Sequence, residues 1–315
     1  QQKGFLLKIL FISSNLIGDA ILSTGILSYL IEKYTNSKIT IVSGPTSKQL
    51  FENFPNLERI ITIKKMKYNL HWIEMWSKII NKKWDLVIDL RSSFISYIIF
   101  SKKRKIFKKN DKNILQVEKL SNFMNIKDIL KPKIYSNIKE DNLAKKIIGN
   151  KFVIAIAPGG NWGPKVWPIE RYNQIILKLK DFYQDKQLYF LIVGSKKEEK
   201  LYLKDLTKNI DPQNLINFMG KSLTLTYSYL SLCKLFIGND SGLMHLSAAT
   251  GIKTIGLFGP TRDDWYAPFG NNCFVIRTKE TYEELKKKSN DSNKSLMNSI
   301  QSDQLINYIL TNNLL

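Results

Sequence analysis

Residues 238–261 read GNDSGLMHLSAATGIKTIGLFGPT, and the apolar segment KLFIG (234–238) leads into them. The apolar run ends in Asn239 and Asp240. Small residues, Ser241 and Gly242, then open a helix-like run, a second apolar segment follows, and the stretch closes on Gly-Pro-Thr. A strand that delivers a carboxylate to the mouth of a helix, followed by a second strand, is the pattern of a βαβ unit. The free N–H groups at such a helix mouth cradle phosphate or a sugar hydroxyl. His245 lies five residues beyond Asp240, so the two need not share a face, and a histidine so placed is more often packed or capping than catalytic.

Working outward, the same alternation fills the chain. KILFI (8–12) leads to a helix from about Gly18 to Tyr34, with Leu22, Ile26, Tyr29 and Leu30 on one face. KITIVS (38–43), RIITIK (59–64) and WDLVIDL (84–90) follow as strands. Residues 128–150 are more polar, contain Pro132, and read as a linker plus a short helix. The pattern restarts with FVIAIAP (152–158) and a helix from Pro168, a good first-turn residue. LYFLIVG (188–194), NLINFMG (214–220), KLFIG and KTIGLFG (253–259) complete a second set, and the tail from Tyr282 is helical. This predicts an α/β protein of two doubly wound, Rossmann-like domains, 1–140 and 151–315, facing a central cleft, with the last helix available to pack back on the first domain.

The chain has 315 residues, enough for one large or two medium domains, and a globular balance of apolar and charged residues. Its two cysteines form no framework. Cys233 reads as a small core residue, which favours a reducing compartment. The formal charge is +21. Residues 1–150 hold 27 Lys/Arg against 12 Asp/Glu, and the remainder 21 against 15, so most of the excess lies in the first half. That excess suits nucleic acid, an anionic membrane or phosphorylated substrates. Coding bias toward Lys, Ile and Asn is the alternative source of the total. No signal peptide is read. The run from Leu10 to Ile31 carries Gly18 and Asp19 at its centre, where a spanning helix would not place them, so no transmembrane segment is read.

Three loops carry chemistry. In SSNLIGDAIL (13–22), Gly18 permits close approach of a ligand and Asp19 lands at a helix start, where it either acts on substrate or merely favours the helix dipole. A GxGxxG fingerprint is absent, so nothing here argues for NAD. In APGGNWGPKVWPIERY (157–172), Gly159 and Gly160 expose amides, and Lys165 stands just ahead of a helix N-terminus, an arrangement suited to a diphosphate if the lysine is not simply solvated. The GK[ST] ending of a Walker loop is missing. The third is the opening stretch. GNDSG echoes a serine-protease loop, but His71 and His245 lack a supporting arrangement for a triad. Two histidines without a carboxylate cluster also argue against a protein-bound metal.

These three segments, in this order and spanning nearly the whole chain, resemble the diagnostic segments of the bacterial heptosyltransferases, glycosyltransferase family 9. The resemblance implies a GT-B fold. The N-terminal domain takes a lipid-linked acceptor and the C-terminal domain holds a nucleotide sugar, usually ADP-heptose. It implies an inverting transfer without metal or other cofactor, in assembly of the lipopolysaccharide core. Asp19 matches the proposed general base and Lys165 the lysine on the donor phosphates. Asp240 matches the aspartate on the donor sugar, with Ser241, Gly242 and His245 in the same segment. Gly160 and Asn161 fall where some members place hydroxyl residues near the diphosphate. Met219, with Gly220 and Lys221, resembles the nucleoside-facing loop, and Glu198 or Glu199 is placed to meet the ribose. A base and a means of holding the departing diphosphate are what such a transfer needs.

On the acceptor side, Gly18 and Arg91, the latter directly after VIDL, are expected to hold an anionic acceptor. SSFISYIIFSKKRKIFKK (92–109) joins an apolar stretch to a dense run of Lys and Arg, as membrane-surface segments do. The alternative is a buried element followed by a solvated basic loop. The expected partners are therefore a nucleotide-sugar donor, an anionic lipid-linked saccharide and an anionic membrane surface, for a cytoplasmic protein peripheral to the inner face of the cytoplasmic membrane. A relative using another nucleotide sugar is the rival within enzymes. The rival of another class is nucleic-acid binding, for which charge argues but no aromatic RNA-recognition signature, helix–turn–helix or zinc finger does.

Overall fold

A computed structural model describes residues 6–64, 66–109, 112–289 and 293–315. The chain divides at Tyr135 and Ser136 into two units. In the first, β1 (Leu7–Ile12), α1 (Ile17–Lys33), β2 (Ser37–Ser43), β3 (Leu57–Thr62), α2 (His71–Ile79), β4 (Trp84–Asp89), α3 (Ile95–Ile98), β5 (Ser101–Ile106) and α4 (Gln116–Met124) follow in order. Five strands form a parallel sheet in the order β3-β2-β1-β4-β5. Ile9 through Ile12 are all fully buried, as expected for a strand covered on both faces. Leu10, Ile12, Val42 and Trp84 on one face of the sheet pack with Met75 and Ile79 of α2 and with Ile95 of α3.

The second unit contains α5 (Ile138–Ile148), β6 (Phe152–Ala157), α6 (Ile169–Phe182), β7 (Leu188–Ile192), α7 (Lys196–Leu206), β8 (Leu215–Asn217) and α8 (Leu223–Leu230). It continues with β9 (Leu235–Asn239), α9 (Gly242–Thr250), β10 (Lys253–Phe258), α10 (Asp263–Tyr266), β11 (Cys273–Arg277), α11 (Tyr282–Ser289) and α12 (Ser302–Thr311). Its six strands are again parallel, in the order β11-β10-β9-β6-β7-β8. In each sheet the chain starts centrally, winds to one edge, returns, and winds to the other. The winding reverses between β1 and β4 and between β6 and β9, and in such sheets ligands bind beyond the carboxyl ends of the strands at the reversal.

Several elements differ from the sequence reading. β5 carries too little apolar patterning to be read as a strand, while β11, CFVIR, is a short apolar stretch that the sequence reading passed over. Both are edge strands held by one neighbour each, and β5 reads SKKRKI. The first helix is buried almost all round from Ala20 to Ser28 instead of along one face. Small polar side chains allow this: Ser23 and Thr24 donate to the carbonyls of Ala20 and Ile21 at 2.7 and 2.6 Å. α5 is the short helix read within 128–150, and it packs on α8 through Thr224 to Glu140 and Ser228 to Asp141, both at 2.8 Å. The last helix, left available to the first domain, places Leu305, Ile306 and Ile309 in the core of the second unit. Among the described residues no helix is long and apolar enough to cross a membrane.

Candidate active site

In the second unit the reversal point joins the loop after β6 to the end of β9. Asn239, wholly buried, makes the junction. Its Oδ1 accepts from the Trp167 N–H and the Tyr172 hydroxyl, each at 3.1 Å. Its Nδ2 donates to the carbonyls of Pro158 at 2.8 Å and Gly159 at 3.0 Å. All four positions that an asparagine amide offers are thus used, and the loop bearing Gly160, Asn161 and Lys165 is clamped to the strand that carries Asp240. Burial raises the Tyr172 hydroxyl well above its ordinary pKa, so it remains a neutral donor.

Lys165 closes a short 3-10 turn, Gly163–Lys165, with its stem against Gly160. Its Nζ lies 3.8 Å from Asp240 Oδ2, and the two side chains are only 13 and 12% exposed. That separation is an ion pair without a direct hydrogen bond, which leaves the ammonium and carboxylate able to take further partners. Ser241 is the N-cap of α9 but its side chain makes no cap bond, and its buried Oγ has no partner. The first amides of α9 are therefore uncapped by a side chain, beside an ammonium, in a setting that favours anionic oxygen. Gly242 begins the helix. His245 is 4% exposed, its Nδ1 is unpartnered, and burial lowers its pKa to about 4, against a raising influence of Asp240 and with a further lowering by Lys165.

Glu198 and Met219 gather at the neighbouring strand ends. Glu198 closes a capping box on α7, with Oε2 accepting from the Ser195 N–H at 2.6 Å. Its other carboxylate oxygen lies against Gly159, where a methyl group would sit only 2.0 Å away. Met219 is buried and reaches Gly194, whose added Cβ would meet its Cε at 2.6 Å. Glu199 instead pairs with Lys196 and accepts from Asn217, both at 2.7 Å, and Lys196 chiefly holds its pKa below the ordinary value. The structure thus brings Gly160, Lys165, Asp240, Ser241 and His245 together, sets Glu198 beside Gly159 and Met219 beside Gly194, and leaves Asn161 exposed on the loop.

In the first unit, Asp19 stands in the first turn of α1 and is not its cap, which is Leu16. Ser14 Oγ donates to Asp19 Oδ2 at 3.5 Å, and Gly18 and Asp19 are both half-buried. At the end of β4, the fully buried Asp89 accepts from the amides of Arg91 and Ser93 at 2.7 and 2.8 Å and from the hydroxyls of Ser93 and Ser96 at 2.6 Å. This turn aims the Arg91 guanidinium across Trp72, 4.6 Å from the ring centroid. Burial lowers the Arg91 pKa while Asp89 raises it, and its Nη1 is buried without a partner. A charged donor so placed fits an anionic group.

Sequence reading missed Asn239, Asp89 and Trp72 as parts of these sites. The signal for the first two was present, a polar side chain closing an otherwise apolar strand. Trp72 is joined to Arg91 only by the fold. Among the described residues no group of three or more His, Cys, Asp or Glu is placed to hold a metal ion.

Comparison with known proteins gives these features a family. The model of glycosyltransferase family 9 (heptosyltransferase) matches residues 122–297. Lipooligosaccharide heptosyltransferase 2 of Campylobacter jejuni is 30% identical over 269 residues, covering 81% of this chain and 82% of that protein. A family 9 glycosyl transferase from Veillonella parvula superposes with a TM-score of 0.80 at 21% identity, over 97% of this chain and 96% of that one. The ADP-heptose lipopolysaccharide heptosyltransferase II of Escherichia coli gives 0.75 at 18% identity, over 98 and 99%. The two doubly wound sheets are accordingly those of the GT-B fold. With its ordered loops, its strand order and more than half its length matching the family model, the chain belongs to glycosyltransferase family 9, the heptosyltransferases.

Proposed function

We propose that the protein transfers a heptose, with inversion, from ADP-heptose to the core of a lipooligosaccharide or lipopolysaccharide acceptor. Family membership supports the reaction class, and the names of the Campylobacter jejuni and Escherichia coli relatives support the acceptor and donor. The observation that carries the donor half is the Lys165–Asp240 pair beside an α9 start that no side chain caps. In this reading Lys165, the α9 amides and the Ser241 hydroxyl hold the diphosphate, while Asp240 accepts from the sugar hydroxyls. Glu198 and Met219, at the ends of β7 and β8, face the nucleoside, and Gly160 and Asn161 supply backbone contacts. Asp19 takes the proton of the acceptor hydroxyl as its oxygen bonds to the anomeric carbon, and the bond from that carbon to the diphosphate breaks, releasing ADP. A single displacement of this kind inverts the anomeric configuration. Gly18 leaves room for the acceptor, and Arg91 binds an anionic group on it.

A thermal-shift panel of ADP-, UDP- and GDP-sugars tests this before any acceptor is needed. ADP-heptose should raise the melting temperature most. A larger shift with a UDP- or GDP-sugar would reassign the nucleotide, and a larger shift with another ADP-sugar would reassign the sugar. A tight ADP-heptose complex that never turns over with any core acceptor would leave a binding scaffold instead of an enzyme.

A further inference from the structure

The segment 92–109 folds neither as a buried element nor as a loose basic loop. Ile95, which opens α3, and Ile99, just past its end, turn their side chains into the core of the first unit. Between and around them Phe94, Tyr97, Ile98 and Phe100 are 75, 53, 49 and 57% exposed. The two isoleucines anchor the turn. Nothing in the packing of the unit calls for the four outward side chains, which polar residues would replace without loss to the core. The turn is also held rigid: Arg104 donates to the carbonyls of Tyr97 at 2.9 Å and Ile99 at 3.4 Å. At α2, rooted in the same core cluster through Met75 and Ile79, Ile73 and the preceding Leu70 are exposed as well.

Cations follow this apolar turn along the chain. β5, the sheet edge, exposes Lys102 and Lys103, and Lys108 and Lys109 follow, also exposed. Lys83 reaches over Phe100, 5.7 Å from the ring centroid. Residues 90–110 contain no Asp or Glu. The nearby Asp85 is engaged by Lys102 at 2.7 Å and by the Lys8 amide at 2.8 Å. Lysines on an edge strand guard it against pairing with another chain, which accounts for the charge but not for the aromatics beside it. A second copy of this chain meeting the same face would set lysine against lysine. Aromatic and aliphatic side chains able to enter the headgroup boundary, rimmed by cations, complement an anionic bilayer instead.

We propose that the α3 turn and the β5 edge form a docking face for an anionic phospholipid bilayer, with Phe94, Tyr97, Ile98 and Phe100 inserted and Lys83, Lys103, Lys108 and Lys109 on the headgroups. The proposal goes beyond the transfer reaction and stands independently of it. The test is sedimentation of the full chain with phosphatidylcholine vesicles, with and without phosphatidylglycerol, at low and high salt. Expected is partition onto the anionic vesicles that salt weakens. Phe94→Ser/Phe100→Ser should lower it about tenfold or more, and Lys103→Gln or Lys109→Gln about fivefold each. The same variants should keep the wild-type response to ADP and the wild-type rate on a soluble, delipidated acceptor, which separates a failure here from a failure of the transfer reading. The proposal is overturned by absence of partition at low salt, by equal partition onto neutral vesicles, or by variants that bind vesicles as wild type does. A concentration-dependent dimer abolished by Phe94→Ser/Phe100→Ser would also overturn it and give the face to self-association.

Discussion

Each of the residues at the two reversal points is set by what its neighbours already satisfy. Asn239 has no free hydrogen-bonding position, so it is a clamp, whereas Ser241 and His245, a few residues on, each keep a buried polar atom without a partner. Lys165 keeps its ammonium at ion-pair distance from Asp240. Lys165→Ala should weaken ADP binding by about ten- to a hundredfold, the worth of one charged hydrogen bond, and slow transfer as well; unchanged ADP affinity in calorimetry would remove it from the diphosphate. Asp19→Asn should lower kcat by about two to four orders of magnitude, the usual contribution of a general base, with ADP affinity intact. A near-normal kcat would require another base. His245 adds a pH effect. Its folded pKa of about 4 lies below the unfolded 6.5, so the unfolded chain binds the extra proton and stability falls as pH drops from 6.5 to 4. The loss approaches about 3 kcal/mol. Urea titrations across that range should show the slope in wild type and a shallower one in His245→Gln.

Elements follow their sequence where local apolar spacing decides and depart from it where partners distant along the chain do. The first helix was legible from its apolar spacing, but its burial all round depends on a strap that sequence does not announce. Lys133 donates its amide to Thr24 Oγ1 at 3.0 Å, and Leu130 donates its own to Ser121 Oγ at 2.9 Å, so residues 130–133 cross α1 at Gly25. A Cβ on Gly25 would lie 2.4 Å from the Leu130 carbonyl oxygen. Alanine gains about 1 kcal/mol of helix propensity over glycine, but overpacking against backbone costs about 1–3 kcal/mol, and the backbone contact should win. Gly25→Ala is therefore expected to lower the urea midpoint with an unchanged slope. An unchanged or higher midpoint would mean the strap yields freely. β5 was illegible because an edge strand of this kind is made by its partner's register and SKKRKI has no pattern of its own, whereas CFVIR of β11 carries an apolar signal that was passed over.

At the scale of the whole molecule, the chain forms two units whose sheets have separate cores. The loops proposed to hold the donor all belong to the second unit. ADP at a hundredfold its Kd should stabilise the folded state by about 2.7 kcal/mol. In native-state hydrogen exchange the added protection should concentrate at the ends of β6 and β9 and the start of α9. Equal protection along β1 and β4 would place the nucleotide elsewhere.

The sequence alone determined the alternation of strands and helices, the division into two α/β domains, and the three loops with Asp19, Lys165 and Asp240. All of these rest on contacts close along the chain: apolar periodicity, and polar or glycine residues at strand ends. Only the tertiary structure decided that Lys165 stands beside Asp240, that Asn239 clamps their loops, that Arg91 lies over Trp72, and that Phe94 and Phe100 face outward while Ile95 and Ile99 do not. Those outcomes depend on which strands become neighbours when each sheet reverses its winding. That choice is made by packing between residues tens of positions apart, which no local pattern encodes.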